Sequence, residues 1–208
     1  MKFAKPIYIL IFSALFIFSS CRSFSRSSES TAEKSTAHVL EEIFNSVMGE
    51  TPLTDKNMEG TWNFNKSAVA FETANLLKKA GGAIVASQVQ AKLDESTKNL
   101  GINSTNTTFT FHADSTYSAK IRGVKISGKY SLDPQTKTVR MSYLMGVAHL
   151  DAVAVVSTRD MKLLFDADSF LKLMKFISQF THITSIEVLG KMADMYDGML
   201  MGFDLKKQ

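Results

Sequence analysis

Only one cysteine and three prolines occur among the 208 residues. A single cysteine can build neither a disulfide framework nor a thiolate zinc cluster. The four histidines, His38, His112, His149 and His182, stand apart, with no His-x-x-x-His or Glu-x-x-His spacing, so no metal is expected. There is no Gly-x-Ser-x-Gly elbow, and Gly81-Gly82 lacks the strand before it and the Gly-Lys-Ser/Thr ending of a phosphate loop. The chain is therefore read as a non-enzyme with no cofactor. Charge of one sign is also scarce: 24 Lys and Arg stand against 20 Asp and Glu, a formal +4. What is abundant is apolar material, 45% of the residues with 15 Phe, enough for one sizeable core and too much for a disordered chain.

The first segment reads as an address. Lys2 and Lys5 precede Ile7 to Phe18, an uncharged apolar run too short to span about 30 Å of hydrocarbon comfortably. It has the length of a secretory h-region. Phe18-Ser19-Ser20-Cys21 follows and resembles a bacterial lipobox, with Phe18 where Leu is usual. The resemblance implies that residues 1–20 are a cleaved signal and that Cys21 is the lipid attachment site. An ordinary signal peptide with an incidental Cys21 and an uncleaved anchor helix are the alternatives. Removing residues 1–20 takes away Lys2 and Lys5, so half of the basic excess belongs to the export signal. The remainder is no argument for nucleic acid. Residues 21–35 are serine-rich, with Phe24 the only bulky apolar side chain, and read as a flexible tether. Some lipoproteins of Gram-negative gut anaerobes carry acids directly after the cysteine as a surface-export signal. Cys21-Arg22-Ser23-Phe24-Ser25-Arg26 has none, which favours an outer-membrane protein facing the periplasm over a surface-exposed one.

Residues 36–208 read as one domain. Val39, Leu40, Ile43, Phe44, Val47 and Met48 recur at helical spacing and predict an N-terminal helix. Gly60-Thr61-Trp62-Asn63-Phe64 is a short alternating strand with the only tryptophan. Ser67 to Lys98 reads as helix, bent or broken at Gly81-Gly82, because two interior glycines cost about 2 kcal/mol relative to alanine. From Asn106 the period changes to two. Strands are expected at 107–111, 117–121, 124–132, 139–143, 150–156 and 161–165, separated by turn residues such as Asp133-Pro134. An amphipathic helix carrying Phe170, Leu173, Met174, Ile177 and Phe180 follows, capped by Asp166 or Asp168. Thr184-Ser185-Ile186-Glu187 is a capping-box pattern, and Ile183 with Val188 fits its hydrophobic staple, opening a second helix to about Met195. Residues 199–205 form the last strand. The fold class is α+β: an eight-stranded antiparallel meander or partly open barrel with helical insertions after the first and seventh strands.

Several stretches carry a family resemblance: Gly60-Thr61-Trp62, Ala68-Val69-Ala70-Phe71-Glu72, Asn75-Leu76-Leu77-Lys78-Lys79-Ala80-Gly81-Gly82, Leu163-Leu164-Phe165-Asp166-Ala167-Asp168, Tyr196-Asp197-Gly198-Met199 and Gly202-Phe203. Over roughly residues 55 to 205 the chain resembles a lipocalin-like lipoprotein family of unknown function from Gram-negative gut anaerobes. The resemblance implies a lipocalin-like sheet decorated by helices and brings no catalytic residue. In lipocalins a Gly-x-Trp of the first strand plugs the closed end against a basic residue of the last strand. Here Lys206 and Lys207 lie at the very end, so that basic partner is expected to be missing.

The functional expectation is a membrane-anchored envelope lipoprotein that binds an apolar small molecule or lipid. Trp62, Phe109, Phe111, Tyr117, Met199, Met201 and Phe203 are the candidate pocket residues. Methionines 174, 192, 195, 199 and 201 crowd the C-terminal third, and methionine suits a pliable apolar lining or simple gap-filling. The alternative is a non-enzymatic interaction module that docks to an envelope protein assembly through the residue 36–48 helix or an open sheet edge.

Overall fold

The computed structural model describes residues 51–72, 74–79, 81–181 and 187–208. The signal, Cys21, the tether, the residue 36–48 helix, His38, His182, and the capping box and staple of residues 183–188 lie outside them or depend on residues outside them. All described residues belong to one compact unit.

The described residues start with a single helical turn, α1 (Asp55–Met58), whose cap Thr54 accepts from the Asn57 amide at 3.3 Å. Then come β1 (Gly60–Phe71), α2 (Ala74–Lys79), α3 (Gly82–Asn99), β2 (Thr108–Phe111), β3 (Thr116–Ile121), β4 (Val124–Asp133), β5 (Thr138–Tyr143), β6 (Ala148–Val156), β7 (Asp160–Asp166), α4 (Ala167–Thr181), α5 (Glu187–Met195) and β8 (Met199–Lys207). Each strand pairs antiparallel with its neighbour in sequence, and β8 returns to β1. The barrel is closed rather than partly open. Eight strands are the number at which interior side chains can fill the space.

Turn chemistry fixes the register. Arg122-Gly123, both at positive φ, form the two-residue β3–β4 connection. Asp133 accepts from the Gln135 and Thr136 amides and holds the β4–β5 turn. Asp166 accepts from the Ser169 amide at 2.9 Å and is the cap of α4.

The helix expected from Ser67 begins only at Ala74, because residues 66–71 pair with β8. Ser67, Val69 and Phe71 alternate with Ala68 and Ala70, a period of two that the alanines disguise as helix. Ala68, Ala70, Leu164 and Leu200 make a small second apolar cluster apart from the main core. The break at Gly81-Gly82 is present. Gly81 has φ 108°, and a Cβ there would lie 2.5 Å from the Val85 side chain.

β1 outruns one of its partners. β2 pairs only with Gly60–Asn63, whereas β8 follows β1 to Phe71 across a bulge between Phe64 and Lys66. α3 takes over the edge that β2 leaves. The Ser67 amide donates to Asp94 Oδ1 at 2.9 Å, and Gln90 Nε2 donates to the Ser67 carbonyl at 2.8 Å and to Asp94 Oδ2 at 3.0 Å. The Ser67 and Thr97 hydroxyls, both buried, meet at 2.7 Å. A strand edge that would otherwise be a pairing hazard is thus satisfied by helix side chains.

Candidate ligand-binding interior

The barrel has two distinct poles. At one, β1 begins and β8 ends. Trp62 is buried there and donates its Nε1–H to the Met58 carbonyl at 2.9 Å, so α1 closes the barrel beneath it. Lys207 stands opposite Trp62 in the β1–β8 register, with Nζ 4.9 Å from the ring centroid. The basic partner expected to be missing is therefore present. It lies at the last residue of the last strand, and closure of the barrel brings it over the ring. Gly60 makes room for it, since a Cβ there would stand 2.8 Å from Lys207 Cε.

The middle of the barrel is aromatic. Phe203 touches four rings, with centroid distances of 6.1 Å to Phe64, 5.5 Å to Phe109, 6.2 Å to Phe165 and 5.6 Å to Phe170. Phe111 and Tyr117 stack at 6.2 Å, and Tyr130 meets Phe111 edge-on at 5.2 Å. The other pole is the mouth. α4 leaves β7 and buries Phe170, Leu173, Met174 and Ile177 in the same core, and α5 adds Leu189 and Met192. Met199 and Met201 descend β8 from this pole toward Phe203, and both are buried.

All seven residues singled out from the sequence are buried in one apolar cluster. The structure joins Phe109 to Phe203 and Phe111 to Tyr117, and it sets Trp62 opposite Phe109 in the β1–β2 ladder. Phe64, Phe71, Phe165, Phe170 and Tyr130 are buried aromatics of the same core that were not chosen. Their signal was available: each sits on the inward register of an element whose neighbouring residues pointed to the core. Of the five crowded methionines, Met174, Met192, Met199 and Met201 are buried and Met195 is exposed.

The interior's polar groups are paired. The Tyr117 hydroxyl donates to the Ser142 carbonyl at 2.9 Å, and the Tyr130 hydroxyl donates to the His112 carbonyl at 3.2 Å. Burial holds both phenols above their ordinary range, with Tyr143 adding to the shift at Tyr117 and Asp55 at Tyr130. Both stay neutral hydrogen-bond donors. Among the described residues no buried side-chain nitrogen or oxygen lacks a partner, and no three His, Cys, Asp or Glu residues gather as metal ligands. Two clefts lie outside the barrel. One, of about 360 Å³, is bounded by Lys66, Asp94, Lys98 and Asn103 beside the β1 edge. The other, of about 290 Å³, lies by the β4–β5 turn, where Arg140 grips Asp151 through two hydrogen bonds of 2.7 and 2.8 Å. Polar and charged groups border both clefts, whereas the interior of the barrel is apolar.

An antiparallel barrel of eight strands in sequence order, plugged by Gly-x-Trp under a last-strand lysine, defines a lipocalin-like domain. The chain belongs to the family described as Lipocalin-like domain (DUF4923), whose model matches residues 32–207. Among solved structures, the crystal structure of a DUF4847 family protein from Bacteroides vulgatus ATCC 8482 is similar at 15% identity, covering 73% of this chain and 96% of that chain with a TM-score of 0.36. No curated protein matches the chain.

Proposed function

We propose that the protein is a lipid-anchored lipoprotein of the cell envelope, attached through Cys21 on the periplasmic side of the outer membrane. Its barrel holds an apolar small molecule or lipid at the mouth. The observation that supports this reading is the cluster of buried methionines at the mouth. Met174, Met192, Met199 and Met201 meet there beside Phe170 and Phe71, where α4 and α5 pack on β8. Methionine repacks around a guest at low cost, while interlocked rings do not. Shifting α4 away from β8 would open an apolar space without breaking a strand pair.

The chain purified without detergent, in native mass spectrometry, is expected to carry a heterogeneous apolar adduct. A fluorescent fatty-acid probe is expected to compete with that adduct, and Met201→Trp, which fills the space, to weaken the probe. No adduct and no probe binding would overturn the ligand reading. Labelled palmitate incorporation that is lost in Cys21→Ser tests the anchor separately.

A second reading has its own support. Phe203, in contact with four rings, fills the centre of the barrel, as a sealed interaction module would require. Crosslinking in intact envelopes tests it: a reproducible protein partner together with an empty ligand assay would favour this reading over the first.

A further inference from the structure

The β5–β6 connection at the mouth has an unusual build. Leu144 and Met145 adopt φ 50° and 58°, followed by Gly146 at 87°. Two consecutive non-glycine residues in the left-handed region are costly. The conformation holds large apolar side chains in water: Leu144 is 53% exposed, Met145 96% and Val147 87%. The patch continues onto α4. Tyr143 meets Phe176 at 5.8 Å, and Phe176 meets Phe180 at 5.3 Å, with Phe180 itself 61% exposed.

The segments around this patch carry charge of one sign. Residues 115–132, 141–150 and 169–181 contain no Asp or Glu. The Leu144–Gly146 turn touches β4, which bears exposed Lys125 and Lys129, and α4 bears exposed Lys172 and Lys175. An apolar tip flanked by these lysines complements an anionic bilayer, with Asp168, one turn before Lys172, the acid at the start of the same helix: apolar side chains enter the acyl boundary and ammonium groups meet headgroups.

We propose that the Leu144–Val147 tip and the Phe180 end of α4 form a docking surface for an anionic lipid bilayer, setting the barrel mouth against the membrane. This goes beyond lipid anchoring, since it depends on no acyl chain. The two are compatible in reach. The expected tether, residues 21–35, would span up to about 50 Å if fully extended, more than the roughly 30 Å of a nine-residue strand.

The test uses the chain from Arg22 to Gln208, which lacks Cys21 and retains the closed barrel and the whole described core between Leu53 and Leu205. Co-sedimentation is measured with phosphatidylglycerol–phosphatidylcholine vesicles and with pure phosphatidylcholine vesicles. Binding to the anionic vesicles alone is expected, falling as salt is raised. On the order of tenfold loss is expected for the pair Met145→Asp and Val147→Asp, and likewise for Lys172→Gln with Lys175→Gln. All four positions are exposed, and unchanged melting would confirm that the variants fold. Absent binding, equal binding to neutral vesicles, or equal binding by the variants would overturn the proposal. So would a dimer that the Met145→Asp and Val147→Asp pair dissociates without any vesicle binding, because the patch would then join copies of the chain. Acylation of Cys21 does not enter this experiment, so its failure and that of the anchor reading are separable.

Discussion

The Lys207 ammonium stands 4.9 Å from the centroid of the Trp62 ring, and the two residues face each other across the β1–β8 ladder. This contact ends the β1–β8 ladder at the closed pole, where Trp62 also bonds the Met58 carbonyl. The glycine two residues before the tryptophan belongs to the same arrangement, because it leaves the space that the lysine stem crosses.

Lys207→Ala is expected to lower the unfolding free energy by about 0.5–1 kcal/mol, the value of a cation–π contact at an exposed site. Gly60→Ala is expected to cost more, because Gly60 sits at φ 124° and its new Cβ would crowd Lys207. Adding Lys207→Ala to Gly60→Ala should relieve the crowding but not the backbone strain. Urea denaturation of the two single variants and the double, followed by fluorescence of the sole tryptophan, separates the two contributions.

Asp94→Ala is expected to destabilise the fold by about 1–3 kcal/mol, because the Ser67 amide loses its acceptor where no strand can replace it. Asp94→Asn retains an acceptor oxygen and should cost less. Hydrogen exchange at Ser67 gives a local readout, with protection lost in Asp94→Ala.

Phe203→Ala removes the ring that four others contact and is expected to cost about 3–5 kcal/mol. The void left behind is lined by phenyl groups, so a small aromatic such as benzene should bind it and restore part of the melting temperature. Calorimetric scans with and without benzene check this.

Tyr117 gives the fold an alkaline limit. Its phenol is held above the ordinary value near 10, mainly by burial. The native state therefore keeps its proton at pH values where the unfolded chain loses it. The associated stability is complete below about pH 10 and declines as pH rises beyond it. Tyr117→Phe should flatten that decline. It should also lower stability at neutral pH by about 1 kcal/mol through the lost hydrogen bond to the Ser142 carbonyl. Melting temperatures between pH 8 and 11 test both statements.

The strands from β2 to β8 were legible because alternating residues such as Phe109 and Phe111 are bounded by turn chemistry such as Asp133-Pro134 and Arg122-Gly123. The first strand was half legible. Ala68 and Ala70 suit either secondary structure, and only pairing with Gly202 and Leu200 decides between them. The Asp94 and Gln90 cap could not be read at all, since it exists only because β2 stops short and α3 lies against the vacated edge. Lys207 went unrecognised for a similar reason. Its distance from Trp62 along the chain says nothing about facing it, and only barrel closure does. The Leu144–Met145 conformation was also hidden, because neither residue type favours the left-handed region.

The long first strand also has a kinetic consequence. Its principal partner is the last strand, more than a hundred residues downstream, so the barrel closes through its least local contact. When the chain is synthesised from its N-terminus, β1 must wait for β8 with one edge unpaired. The other edge can already be held, because Gln90 and Asp94 arrive soon after Ser67. The α3 cap thus leaves the waiting strand only one edge on which another copy of the chain could pair, and β8 acts as the final latch on that edge.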